Sequence, residues 1–143
     1  MTVRDILNEK GHEVVTLTPD VKVGEAVAVL AKHRIGAIVV TNGAGVIKGI
    51  LSERDIVRRL AEDGPDCLKH KVAEVMTANV KVCAEGHSNN EVMEIMTNGR
   101  FRHLPVERDG KLIGVISIGD VVKRRIAEVQ KEAEEIRSYI ATA

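Results

Sequence analysis

The chain has 143 residues, of which 44% are hydrophobic, and its 21 basic side chains are balanced by 21 acidic ones. A chain of this length forms one compact domain or two small repeats that share a core. The balanced charge argues against a general attraction to nucleic acid or anionic membranes, and one Phe and one Tyr are too few for base stacking on aromatic rings.

The first half of the chain predicts a β-α-β-β-α unit behind a short opening helix. An apolar run of β-branched residues over 35–40 is typical of a buried strand. Turn glycines at 43 and 45 join it to a second strand as in a hairpin. The predicted elements in chain order are the opening helix 3–7, an extended stretch 14–18, a helix 23–33, strands 35–40 and 46–51, and a helix beginning near Ser52.

The second half repeats the first. The pattern Gly-x-x-Ser-x-x-Asp at Gly49–Asp55 returns at Gly114–Asp120, about 65 residues later. Ser88 and Glu91 form a capping-box pattern at a helix start, whereas Lys22 at the matching place gives a weaker cap. The repeated elements are the opening helix 72–76, the extended stretch 80–83, the helix 89–98, strands 101–106 and 112–116, and a helix from Ser117.

We therefore divide the chain into repeat 1 (1–63), a linker (64–71), repeat 2 (72–125) and a C-terminal helix (126–143). The linker begins with Gly64-Pro65-Asp66, a natural break between elements. A unit of about 60 residues buries little surface alone. We expect an α+β fold in which the two repeats pack sheet to sheet with pseudo-two-fold symmetry.

Apolar residues in the C-terminal region alternate at steps of four and three, as along the contact stripe of a coiled coil. They are Val122, Ile126, Val129, Ala133, Ile136 and Ile140. Two interpretations are open: the helix lies on its own module, or it joins two subunits.

No pattern in the sequence indicates catalysis. It contains no nucleophile–base pair, no phosphate-binding Gly-x-x-x-x-Gly-Lys loop and no metal-ligand spacing around Cys67 and Cys83. The first residues lack an apolar signal region, and no apolar run approaches the roughly 18 residues of a membrane span. The sequence predicts a cytoplasmic protein that is not an enzyme and that has no catalytic cofactor, metal, nucleic-acid partner or membrane anchor.

The repeated Gly-x-x-Ser-x-x-Asp segments, the run Ile35-Gly-Ala37 and the run Arg102-His-Leu-Pro-Val106 resemble tandem CBS-domain pairs, also called Bateman modules. The similarity covers Val3 to about Lys123, and the segment Ser117–Lys123 with the charged tail also resembles small stand-alone bacterial CBS-pair proteins. It implies a regulatory sensor that binds AMP, ATP or NAD-type ligands between the repeats. AMP is the expected ligand, with ATP and NAD(H) as alternatives. The resemblance also implies a homodimer. No effector domain is recognised in the sequence, so regulation of a separate, unknown partner protein in trans is expected.

Carried over by position, the resemblance implies two clefts, each built from both repeats. The first would be lined by Ile50, Ser52, Arg54, Asp55, Val80, Arg102 and His103. The second would be lined by Thr18, Val23, Ile35, Gly36, Ala37, Ile116, Ser117 and Asp120.

The chemistry of these residues suits a nucleotide. Asp55 and Asp120 are placed to accept hydrogen bonds from ribose hydroxyls, and each serine sits at a helix start, where free amides hold phosphate. Arg102 and His103 are predicted to bind phosphate, and Arg100 to be solvated. Ser-x-x-Asp is also a helix cap, which would be present for stability alone. A dimerisation or interaction scaffold that binds no ligand is therefore the alternative function.

Overall fold

The structure, a computed structural model, describes residues 1–142 and confirms the α+β class. The helices within these residues are α1 Val3–Lys10, α2 Val23–His33, α3 Glu53–Asp63, α4 Val72–Val75, α5 Asn89–Gly99 and α6 Ile118–Thr142. The strands are β1 Thr16–Leu17, β2 Ala37–Thr41, β3 Ile47–Ser52, β4 His103–Arg108 and β5 Lys111–Ser117.

Two small sheets carry the two repeats. In the first, β1 runs parallel to β2, and β2 pairs antiparallel with β3. The second sheet is the antiparallel pair of β4 and β5. The extended stretch predicted over 80–83 is only a single parallel bridge, in which Cys83 exchanges backbone hydrogen bonds of 2.9 Å with Pro105 and Glu107.

The opening helix of each repeat packs in the core of the other repeat. Leu7 of α1 lies, fully buried, in the core built by β4, β5 and α5. Val72 of α4 lies in the core built by the first sheet and α2. Both crossings depend on a glycine: a Cβ on Gly114 would lie 2.6 Å from Leu7 Cδ2, and one on Gly49 would lie 2.6 Å from Met76 Sδ. The helices therefore pack directly on bare strand backbone.

The two hairpins also touch at their turns. The Leu112 amide donates to the Gly45 carbonyl at 2.8 Å, and the Lys111 ammonium donates to the Ala44 carbonyl at 2.7 Å. At the other end of the hairpins, β3 leads directly into α3 and β5 directly into α6. The strand ends of both repeats therefore lie beside two helix starts.

The structure differs from the predicted division of the chain at two places, the linker 64–71 and the C-terminal helix 126–143. The predicted linker contains a 3-10 helix over Gly64–Lys69, with Pro65 in its first turn, where a missing amide hydrogen costs nothing. The closing helix of repeat 2 and the C-terminal helix are one continuous element, α6. Residue 143 lies outside the described residues. Within residues 1–142, no helix combines the length and the apolar character that crossing a bilayer requires.

Candidate functional site

A cleft of about 440 Å³ lies where residues of the two repeats face each other. All seven residues that we predicted for the first cleft line it: Ile50, Ser52, Arg54, Asp55, Val80, Arg102 and His103. Its volume is within the range of about 300–1,000 Å³ that is usual for small-molecule sites. The structure thus brings these seven residues together at one site.

The start of α3 forms the polar end of the cleft. Asp55 Oδ2 accepts hydrogen bonds from the Ser52 amide at 2.9 Å and the Ser52 hydroxyl at 3.1 Å, and the Asp55 amide donates back to Ser52 Oγ at 3.3 Å. The Thr77 hydroxyl donates to Oδ1 at 3.3 Å, a long contact. Asp55 therefore caps the helix through one oxygen, while the other oxygen is held only weakly.

Five cationic side chains line the same cleft against two carboxylates. The cations are Arg54, Arg58, Lys81, Arg100 and Arg102, and the carboxylates are Glu53 and Asp55. Arg58 and Lys81 are not among the residues predicted for the cleft, and Arg100 is predicted to be solvated but lines it. Arg58 was detectable, because it follows Arg54 by four residues and so projects from the same helix face. The local excess of positive charge makes the cleft suitable for an anion.

His103 is the exception among the basic residues of the cleft. Burial lowers the pKa of its imidazole below the ordinary value of 6.5, and the charge of Lys10 lowers it further. Glu53 opposes these effects without overcoming them. At neutral pH the ring is therefore neutral, and it offers a hydrogen bond rather than the positive charge that we expected for a phosphate partner.

An apolar slot of small and aliphatic residues completes the cleft. Gly36, Ala37, Ile50, Val80 and Phe101 contribute to it. A Cβ on Gly36 would lie 3.3 Å from Cε1 of His103, so this glycine keeps the slot open beside the imidazole.

Several lining residues had no clear sequence signal. Thr77 reaches the cleft because it exchanges two backbone hydrogen bonds of 2.9 Å with Ile50, a contact across the repeats. Phe101 lines the cleft because its ring packs over Gly99, where no side chain intervenes. Glu53 and Asn79 also line it.

The first cleft contains only two of the eight residues predicted for the second cleft. Gly36 and Ala37 line the first cleft, and Val23 and Ile116 are fully buried in the two cores. Ile35 packs against the first core, and Thr18 lines a separate, open cavity of about 500 Å³ beside the hairpin turns. Ser117 and Asp120 line neither of these two cavities.

The start of α6 repeats the Ser52–Asp55 arrangement, but here a lysine occupies the carboxylate. Asp120 Oδ2 accepts a hydrogen bond from the Ser117 amide at 2.9 Å and another from the Lys10 ammonium at 2.7 Å. The ammonium also donates to the Val115 carbonyl at 2.7 Å. Burial alone would raise the pKa of Asp120, but the hydrogen bonds from Lys10 and Ser117 hold it below its ordinary value. Lys10 thus stands where the second ribose contact was expected.

Other reactive groups lie away from the cleft. Cys67 and Cys83 are buried free thiols, and burial raises the pKa of Cys83 to about 12. Among residues 1–142, no three His, Cys, Asp or Glu side chains cluster as a metal site would require.

Known proteins with similar sequences and structures point in one direction. The sequence profile of the CBS domain matches residues 2–62 and 72–127. The mitochondrial CBS domain-containing protein CBSX3 of Arabidopsis thaliana is 32% identical over 97% of this chain and 71% of its own length. The inosine-5'-monophosphate dehydrogenase of Methanocaldococcus jannaschii is 34% identical over 79% of this chain, which corresponds to 22% of that enzyme.

Solved structures agree with the sequence relatives. The CBS-domain containing protein ATU1752 from Agrobacterium tumefaciens superposes with a TM-score of 0.84 at 51% identity, covering 87% of this chain and 99% of that one. The CBS domain pair of protein MJ0100, in complex with 5'-methylthioadenosine and S-adenosyl-L-methionine, superposes with a TM-score of 0.76 at 26% identity. That match covers 86% of this chain and 98% of the MJ0100 chain.

Proposed function

Because this chain belongs to the CBS-domain family, we propose that it is a regulatory sensor that binds an adenine nucleotide between its two repeats. One observation carries the proposal: a single cleft combines a helix-capping carboxylate, an apolar slot and five cations. The bound nucleotide would change the arrangement of the chain or of its homodimer, and a separate protein would respond to the change. A ligand has this effect only if it binds one arrangement more tightly than the other.

Each part of the cleft suits one part of a nucleotide. The weakly held Oδ1 of Asp55 is available to accept from the ribose hydroxyls while Oδ2 continues to cap α3. The apolar side chains of Ala37, Ile50 and Val80 would contact the faces of adenine. The amides at the start of α3 and the surrounding arginines would hold the phosphates, since guanidinium groups match phosphate oxygens in geometry and charge.

The charge of the cleft favours more than one phosphate group. The net positive charge of five cations and two carboxylates is larger than the negative charge of the AMP dianion. We therefore expect ATP to bind more tightly than AMP, and AMP more tightly than adenosine, which reverses the preference expected from the sequence. The neutral His103 would hydrogen-bond to the base or the ribose.

The contact between Lys10 and Asp120 favours one nucleotide per chain. An ammonium 2.7 Å from Asp120 already supplies the charge-assisted hydrogen bond that a ribose would offer there. Residues predicted for the second cleft would then stabilise the fold, and Gly36 and Ala37 would serve the first cleft.

The relatives support a ligand-binding regulatory module. MJ0100 holds two adenosine compounds in its CBS pair, and the matched part of the dehydrogenase is a minor part of that enzyme. For this chain we propose sensing rather than catalysis, because the cleft presents five cations to an anionic ligand and its Ser52 hydroxyl is engaged with Asp55 in the cap of α3. The cytoplasmic location and the partner in trans remain predictions.

The equivalent aspartates provide a matched test. Titration calorimetry of nucleotide-free protein with ATP, AMP and adenosine should show one site per chain. Asp55→Asn should weaken ATP binding by about 10- to 100-fold, the value of one charge-assisted hydrogen bond, while asparagine still caps the helix. Asp120→Asn should leave the affinity unchanged. Arg102→Gln should weaken ATP binding more than adenosine binding.

Two results would contradict the proposal. Equal losses in Asp55→Asn and Asp120→Asn would show that the described cleft is not the nucleotide site. Wild-type protein that binds none of the three compounds would favour the interaction scaffold, for which the exposed apolar side chains of α6 give a specific reason.

A further inference from the structure

The outer side of α6 carries an apolar stripe that the chain itself does not cover. We call the six residues at alternating steps of four and three the C-terminal stripe: Val122, Ile126, Val129, Ala133, Ile136 and Ile140. Ile126 is 54% exposed, Ile136 60% and Ile140 68%. Exposed large aliphatic residues in a continuous line mark an interaction surface.

A different side of α6 holds the helix to its own module. Val121 is fully buried, Arg124 forms an ion pair with Glu9, and Glu128 lies 3.8 Å from the N-terminal amino group. Successive helical residues turn by about 100°, so these positions form one face and the C-terminal stripe forms the adjacent one. Residues 134–142 are all exposed. The helix is thus anchored at its start and presents the stripe away from the anchor.

We propose that the C-terminal stripe pairs with the same stripe of a second copy of this chain, in a parallel two-stranded coiled coil. This inference deepens the homodimer of the proposed function and does not depend on nucleotide binding. The spacing gives a coiled-coil seam of about two and a half heptads, with Ile126, Ala133 and Ile140 at a and Val122, Val129 and Ile136 at d.

The charges beside the stripe favour the parallel orientation. In a parallel pair, each residue at g faces the e residue five positions later in the other helix. Glu132 would then face the partner's Arg137, and Arg125 would face the partner's Gln130. In the antiparallel register that pairs all six stripe residues, Glu132 would face its own copy and Lys123 would face the partner's Arg137. Such like-charge contacts disfavour that orientation.

The first measurement is the mass in solution by sedimentation equilibrium. The wild type should be a dimer of the 15.6 kDa chain, and Ile136→Glu should raise its dissociation constant at least about tenfold. Lys131→Glu, at the outward f position, is the matched control and should leave the dimer intact. Far-UV circular dichroism confirms that each variant folds.

The charge pair is tested by a swap. Glu132→Lys and Arg137→Glu should each weaken the dimer, and the double variant should restore it, because only the parallel pairing places these two positions together.

Cysteine cross-linking tests the orientation directly. Ile136→Cys should form a disulfide-linked dimer under mild oxidation, because the two d positions face each other within the reach of about 4.4–6.8 Å between Cα atoms. In the antiparallel register the two copies of residue 136 would be about 15 Å apart, and residue 136 would face residue 126 instead. Wild type and Lys131→Cys should not cross-link, since both native cysteines are buried.

The possible failures are distinguishable. A wild-type mass of one chain would overturn both the homodimer and this pairing, and a mass of three chains would overturn the two-stranded form. A dimer unaffected by Ile136→Glu would overturn the stripe as its interface while leaving the homodimer standing. Disulfides formed only in a mixture of Ile126→Cys and Ile136→Cys would overturn the parallel orientation.

Discussion

Replacing Lys10 by methionine tests whether the lysine holds the start of α6. The substitution keeps most of the length of the side chain and removes an ammonium that donates to Asp120 and to the Val115 carbonyl, each at 2.7 Å. A charge-assisted hydrogen bond contributes about 1.5–3 kcal/mol. Because the Lys10 side chain is 35% exposed, solvent screens this pair. We therefore expect the free energy of unfolding to fall by about 1–2 kcal/mol.

Urea unfolding followed by far-UV circular dichroism measures the loss, because the chain has no tryptophan for fluorescence. Lys48→Met, at an exposed position on β3, is the control and should be nearly neutral. The pKa of Asp120 is lowered in the folded protein. Its stabilising contribution is therefore present above the ordinary value of 3.8 and is lost as the pH falls through the folded pKa. The difference between wild type and Lys10→Met should shrink in the same range.

Equal unfolding free energies for Lys10→Met and Lys48→Met would refute this reasoning. A second consequence concerns nucleotide binding. If the ammonium occupies the place of a ribose, Lys10→Met should gain a weak second nucleotide site, and Asp120→Asn should abolish it. A stoichiometry that stays at one in Lys10→Met would show that more than the lysine closes that position.

Three further predictions concern stability and reactivity. Gly49→Ala should lower the free energy of unfolding by about 1–3 kcal/mol, because the new Cβ would lie 2.8 Å from the Thr77 carbonyl oxygen. Gly86→Ala is the control: its new Cβ would have no neighbour within 4 Å, so the same urea assay should show no change. The unfolded chain takes up a proton at His103 before the folded chain does, so stability should fall as the pH drops below 6.5, and His103→Gln should reduce that slope. Cys83 should resist alkylation by iodoacetamide in the folded protein and react on unfolding, as mass spectrometry would show, since burial raises its pKa to about 12.

Much of the fold was readable because local pattern and tertiary structure agree. The helix predicted over 23–33 has these same bounds in the structure, and Ser88 accepts from the Glu91 amide as its capping pattern predicted. The stretch 80–83 was less readable, because Cys83 alone pairs with its neighbour. The matching strand β1 has two paired residues, and a difference of one residue in ladder length leaves no trace in a pattern of alternating apolar residues.

The sequence predicted the first cleft, where a repeated motif lines the cavity. It did not predict that the Lys10 side chain occupies the equivalent position in the second repeat. The pattern Ser52-x-x-Asp55 appears again as Ser117-x-x-Asp120, and both form the same cap. From the sequence, Asp55 and Asp120 are both expected to bind a ribose. What separates them is Lys10, a residue 110 positions away along the chain from Asp120. Only the crossing of α1 onto the second repeat brings the two side chains together.

Because of that crossing, the first helix of the chain stabilises the second repeat. Loss of the first helix would remove Val3, Ile6 and Leu7 from the second repeat's core rather than from the first. Substitutions in α1 would thus destabilise the core of repeat 2. Cleavage in the linker would separate the core of each repeat from the opening helix that packs in it. Two fragments cut there should regain structure only when mixed, as interlocked halves do.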